Sequence, residues 1–116
     1  MSDKTLPIPK RGEVWWINFD PSVGGEIQKK RPAVILSNDM ANKALNRVQV
    51  IPLTSNVKRV YPVECLVMIQ NKQSKALADQ ITTISKLRLI SKFGKASKQD
   101  MANIERIILL QLDIKR

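Results

Sequence analysis

Apolar residues come along this chain in short blocks separated by polar segments that carry proline and glycine, the pattern of a strand-rich protein. GEVWWINF (12–19) is rich in β-formers and predicts a strand. DPSVGGEIQKK (20–30), with Pro21, Gly24 and Gly25, predicts a long, mobile loop. PAVILS (32–37) is almost continuously apolar, as in a strand buried on both faces. NDMANKALN (38–46) is polar, with Asn38 or Asp39 as the cap of one helical turn. RVQVIPL (47–53) alternates and then breaks at Pro52, and VECLVMI (63–69) predicts another strand. NKQSKALA (71–78) reads as a connector and DQITTI (79–84) as a short strand. SKLRLI (85–90) is ambiguous, with a short helical turn as one reading, and KFGK (92–95) predicts a brief strand.

The C-terminus is clearer. Ser97 is followed three residues later by Asp100, a capping-box-like start. Met101, Ile104, Ile108 and Leu112 recur at helical spacing, which predicts a helix over about 98–112 packed on the sheet. Residues 1–10, with Pro7 and Pro9, predict a flexible arm. No repeat or linker divides 11–116, so these residues are expected to form a single domain. The fold class is mainly β, mostly antiparallel, with one long terminal helix.

Composition narrows the chemistry. The 116 residues include 20 Lys and Arg against 10 Asp and Glu, a formal charge of +10 spread along the chain. Such a chain attracts polyanions such as nucleic acid, or an acidic protein partner. Histidine is absent, which removes the usual general acid–base and the commonest metal ligand. The acids are scattered singly, and no Walker or GxGxxG loop is present, so no metal or cofactor is expected. Cys65 is the only cysteine and lies in an apolar run, where a buried, inert thiol is expected. The N-terminus has no apolar signal region, and no run of roughly 18 apolar residues could span a membrane, so a cytoplasmic protein is expected.

Two proline-marked junctions then stand out. Arg31 precedes Pro32, which biases it towards extended geometry, and its guanidinium presents donors suited to a phosphate. Thr54 and Ser55 follow Pro52. If 32–37 pairs antiparallel with 47–53 across 38–46, opposed residues have index sums of about 85, and Arg31 with Thr54 satisfies that sum. An arginine and a hydroxyl then meet at one strand end as a small anion site, with Lys29 and Lys30 in the loop beside it.

These residues also carry a resemblance. GEVWWINFDPSVGGEIQKKRPAVILSND resembles the opening of the MazF/PemK/Kid toxins, VIPLTSN their second motif and SKALADQITTISKLRL their third, together spanning about residues 10 to 112. The resemblance implies an SH3-like β-barrel with a C-terminal helix, usually a homodimer. It implies endonucleolytic cleavage of single-stranded RNA, often mRNA, leaving a 2′,3′-cyclic phosphate and a 5′-hydroxyl. It also implies an antitoxin whose acidic, disordered segment occupies the RNA groove. The family's catalytic arginine and threonine match Arg31 and Thr54, its loop glutamate matches Glu26, and the glutamine of its third motif matches Gln80. Gly25 stands where the family often has serine, and Thr82 where it usually has arginine, departures that bear on RNA grip.

The candidate set is therefore Arg31 and Thr54 for catalysis, and Glu26 and Ser55 for either a catalytic role, with Glu26 a candidate proton acceptor, or loop support. Gly24, Gly25, Lys29, Lys30, Asn56, Lys58, Ser74, Gln80 and Thr82 are the candidates for RNA contact. Arg47, Arg59, Lys75, Lys86 and Arg88 are further cations for tracking a backbone, or simply solvated surface. Trp15 and Trp16 are adjacent, so in a strand they face opposite sides; core packing, an interface and base stacking all remain open for them, and Tyr61 and Phe19 are weaker stacking candidates. Three alternatives compete with the nuclease: a gyrase-binding toxin of the CcdB type on the same barrel, a non-catalytic nucleic-acid-binding barrel, and a degenerate toxin retained for its antitoxin-binding surface.

Overall fold

The computed structural model describes residues 6–115; residues 1–5 of the expected arm lie outside the described residues, and 6–10 form no helix or strand, with Pro9 buried. The strands are β1 (Glu13–Asn18), β2 (Lys30–Ile35), β3 (Arg47–Thr54), β4 (Glu64–Ile69), β5 (Lys72–Leu77), β6 (Thr82–Ser85) and β7 (Leu89–Lys95). The helices are α1 (Asp39–Ala44) and α2 (Lys98–Gln111), and single 3-10 turns occupy Ala78–Gln80 and Lys86–Arg88.

All pairings are antiparallel, in the spatial order β4-β5-β3-β2-β1-β7, with β6 also paired to β3. The two ends of that order approach each other. Gln70, just after β4, donates from Nε2 to the Phe93 carbonyl of β7 at 2.5 Å. A Cβ on Gly94 would stand 3.1 Å from Cγ2 of Ile69, so β7 lacks a side chain where β4 passes it. The sheet thus curls into a half barrel with a C-terminal helix, the mainly β class expected.

The strand read as buried on both faces is so. Val34 of β2, with Ile51 and Leu53 of β3, faces a core that includes Val14, Val67, Ile69 and Ala76 and is covered by Ile104 and Ile107 of α2. Ala33 and Ile35, with Val48 and Val50, face a second core with Ile17, Phe19 and Ile84. Period-two alternation sends neighbouring residues to opposite cores. Asn38, not Asp39, caps α1, accepting from the Ala41 N–H at 2.8 Å, while Asp39 accepts from the Arg11 N–H at 2.7 Å.

Four expectations are corrected. The connector 71–78 holds strand β5 over Lys72–Leu77, which sits between β4 and β3. It is reached through a two-residue turn in which Gln70 and Asn71 both have positive φ (49° and 62°), the backbone that matches strand twist in a tight hairpin. The strand expected over 79–84 begins only at Thr82, after the 3-10 turn. The brief strand at 92–95 extends back to Leu89, since β1 supplies an edge for it. Finally, Leu112 is the C-cap of α2 and half exposed, and Ile107 takes the buried position with Ile104. The cap at Ser97 forms, its side chain accepting from the Asp100 N–H at 3.0 Å, but the Asp100 carboxylate reaches across to accept from Met68 N–H of β4 at 3.0 Å.

Cys65 is buried in the first core, and burial pushes its thiol above the usual range, partly opposed by Arg106 and reinforced by Asp100. Its thiolate is disfavoured, as expected of an inert cysteine. Among the described residues no helix is long and apolar enough to cross a membrane.

Candidate functional site

β2 and β3 pair as Ala33 with Pro52, Val34 with Ile51 and Ile35 with Val50, the index sum read from the sequence. Continued outward by two residues, the same register sets Arg31 opposite Thr54. Opposed residues of an antiparallel pair project to the same face. Here that face is shared with Ala33, Ile35, Val48 and Val50 of the second core. Arg31 is held from the other side as well, paired in β1 with Ile17.

Both side chains are half-buried. Arg31 donates from Nε to the Gln28 carbonyl at 2.9 Å, which orients the guanidinium. Among the described residues its terminal Nη groups make no hydrogen bond or ion pair, so they remain available to an anion. The Thr54 hydroxyl accepts from the Asn56 N–H at 3.2 Å, a local turn that leaves its own proton free to donate. Ser55, Asn56 and Lys58 follow on the exposed loop after β3, with the Asn56 side chain accepting from the Lys58 N–H at 3.4 Å.

The segment 20–30, expected to be mobile, is tied down at several points. Phe19 N–H donates to the Lys29 carbonyl and Lys29 N–H to the Asp20 carboxylate, both at 2.9 Å. Gln80 clamps the middle, accepting from the Ile27 N–H and donating to the Gly25 carbonyl, both at 3.0 Å. Gly24 has φ +57°, a conformation other residues adopt with strain. Glu26 accepts from the Val23 N–H at 2.8 Å, so its carboxylate organises the loop's own turn. Lys29 and Lys30 are exposed at the loop's end. Gln80→Ala is expected to speed amide exchange at Ile27 and tryptic cleavage at Lys29 and Lys30 with little change in Tm. Unchanged exchange there would mean that the clamp is not needed.

A cleft of about 320 Å³ lies under this loop, lined by residues including Phe19, Glu26, Gln80, Thr82, Thr83 and Arg88. Glu26, Gln80 and Thr82 thus come together, whereas Arg31 and Thr54 lie outside it. A shallower groove of about 490 Å³ between Arg11, Asp39 and α2 contains none of the candidate residues. Ser74 is buried in β5 opposite Val67. Of the cations assigned to backbone tracking or solvated surface, Lys86 is buried, and Arg88 and Lys75 have structural partners instead. Arg88 donates to the carbonyls of Asn18 (3.0 Å) and Asp20 (2.5 Å), and Lys75 is buried against Glu64 at 3.0 Å. Sequence spacing gave no sign of either contact: Arg88 reaches backbone far away along the chain, and Lys75 meets Glu64 across a hairpin whose second strand had been read as a connector.

The tryptophans do face opposite sides, and both are half-buried. Trp16 packs tilted on Phe93, ring centroids 5.6 Å apart. Trp15 lies against the second core and donates from Nε1 to Glu13 at 3.0 Å. Burial alone would raise the Glu13 carboxyl, but hydrogen bonds from Lys10 N–H, Trp15 and Lys92 outweigh it and hold it below the usual range.

With this geometry in hand, comparison with known proteins is informative. The family of PemK-like, MazF-like toxins of type II toxin–antitoxin systems matches residues 10–112. Endoribonuclease MazF9 of Mycobacterium tuberculosis is 36% identical over 114 residues, covering 90% of this chain and 97% of the relative. The crystal structure of MazF from Deinococcus radiodurans superposes with a TM-score of 0.84 at 26% identity, covering 93% of this chain and 99% of that one. A MazE–MazF crystal structure from the same organism gives 0.75 at 26% identity, covering 94% and 100%.

Proposed function

The chain belongs to the PemK-like, MazF-like toxin family of type II toxin–antitoxin systems, and we propose that it cleaves single-stranded RNA, mRNA included, at selected sequences without a metal. Relatives that match most of the chain are named endoribonucleases, which favours this reading over the gyrase-binding and non-catalytic alternatives. The observation that supports the mechanism is the β2–β3 register, which, continued outward by two residues, sets Arg31 across from Thr54 on one face.

RNA contains its own nucleophile. The 2′-oxygen attacks the adjacent phosphorus as the bond to the 5′-oxygen breaks, leaving a 2′,3′-cyclic phosphate and a 5′-hydroxyl. The 2′-hydroxyl loses its proton and the departing 5′-oxygen gains one. Negative charge builds on the nonbridging oxygens, and the Nη groups of Arg31 neutralise it while the Thr54 hydroxyl donates to the same phosphate. Arg31 serves as a cation whose planar donors hold the phosphate, and not as a base. Lys29, Lys30, Asn56 and Lys58 border this point and would steady the flanking backbone, with Gly24, Gly25, Gln80 and Thr82 shaping the loop side.

The partner proposed for this chain is a cognate antitoxin, in keeping with its likeness to a MazE–MazF structure, and the proposal gives that antitoxin an acidic, disordered segment that competes for the cationic face. A homodimer acting in the cytoplasm completes the proposal. The test is digestion of a long RNA pool in EDTA with mapping of cut sites and end groups. Cuts at a shared sequence bearing cyclic phosphate and 5′-hydroxyl ends are expected. Intact RNA would reject the nuclease, and 3′-hydroxyl ends would reject attack by the 2′-oxygen.

A further inference from the structure

Lys75 is a buried cation that the mechanism above does not use. It stands directly across from Thr54 in the β3–β5 ladder, one strand spacing of about 4.8 Å away and on the same face. Its ammonium binds the Glu64 carboxylate at 3.0 Å and the Arg59 carbonyl at 2.8 Å. The same Glu64 oxygen also accepts from the Tyr61 N–H at 2.9 Å. Burying this pair is costly, since both ions lose water. What the pair accomplishes is local: it ties two backbone points of the 55–63 loop to the strand beside Thr54.

The loop so fixed carries a particular surface. The Arg59 guanidinium lies over the Tyr61 ring, 5.8 Å from its centroid, and Nη1 donates to the Tyr61 hydroxyl at 3.2 Å. Tyr61 is nevertheless 50% exposed. A planar cation against an exposed aromatic ring is the kind of platform on which an unpaired nucleobase stacks.

We infer that Arg59 and Tyr61 form a stacking platform for a nucleotide flanking the scissile phosphate, and that Lys75 with Glu64 are positioning residues that hold it beside Thr54. This rests on the nuclease reading. An unpaired base gains stacking on Tyr61 while its phosphate meets Arg59, and the loop's two anchor points remove the entropy cost of ordering it at binding.

The experiment measures binding of a single-stranded oligonucleotide with 2′-deoxy sugar at the cut site, alongside cleavage of the matching RNA. Tyr61→Ala is expected to weaken binding about tenfold or more, the scale of one lost base stack. Tyr61→Phe keeps the ring and should retain most of the binding. Lys75→Met is expected to raise KM more than it lowers kcat and to expose the loop to trypsin at Lys58 and Arg59, measured well below its Tm. If binding by Tyr61→Ala equals that of the unaltered protein while RNA is still cut, the platform is refuted and the nuclease reading stands. If Lys75→Met lowers only Tm, with KM unchanged, its positioning role is refuted. Failure of the unaltered protein to cut RNA would instead overturn the reading on which both depend.

Discussion

Arg31→Ala is expected to lower RNA cleavage by at least about 100-fold, the scale of losing one donor aimed at charge that develops in the transition state. The fold should survive. The side chain is half-buried and, among the described residues, makes one hydrogen bond, to the Gln28 carbonyl, and such a bond is worth about 1 kcal/mol. Most of the loss should fall on kcat, since the guanidinium meets more charge in the transition state than in the bound substrate. Arg31→Lys keeps the charge but not the planar fork, and should lie between the two. Full activity in a preparation of Arg31→Ala free of the parent protein would remove Arg31 from the mechanism.

Ile104→Ala is expected to have the largest effect on stability. Its side chain is fully buried and joins α2 to the core beneath β2, β3 and β4. Removing it sacrifices transfer free energy and leaves a cavity, together about 2–5 kcal/mol. For a domain of this size that lowers Tm by roughly 8–25 °C. Leu112→Ala, at the half-exposed C-cap, should change stability by no more than about 0.5 kcal/mol. Thermal unfolding of the pair decides which residue anchors the helix; equal losses would contradict the burial described.

The contrast between those residues shows where the sequence was informative. Helical spacing identified the helix and its Ser97 cap, because local hydrogen bonding and side-chain period are written in neighbouring residues. It chose Leu112 wrongly, because the helix ends at Gln111 and spacing alone does not tell which turn is last. The β2–β3 register was legible because two apolar runs of similar length flank one short helical turn, which fixes their index sum. β5 was not: KQSKAL contains no β-branched or aromatic residue, and Gln70–Asn71 lacks the glycine that usually marks such a turn. Its strand conformation comes from tertiary pairing with β4 and β3.

The candidate site divides in the same way. Arg31 and Thr54 could be brought together on paper because proline and strand pairing restrict both. The Gln80 clamp on the loop and the Arg88 contacts to Asn18 and Asp20 join segments far apart in the chain, and the Lys75–Glu64 pair forms across the β4–β5 hairpin, whose second strand the sequence did not show. Only the folded sheet reveals them.

A double-mutant cycle on cleavage, using Arg31→Ala, Thr54→Ala and the combined variant, probes most directly whether the two side chains serve one phosphate. Groups that act as a unit couple strongly, so the combined variant should lose far less than the product of the single losses. Losses that multiply in full, with each variant still folded, would mean that the two residues act independently and that the shared phosphate site does not exist.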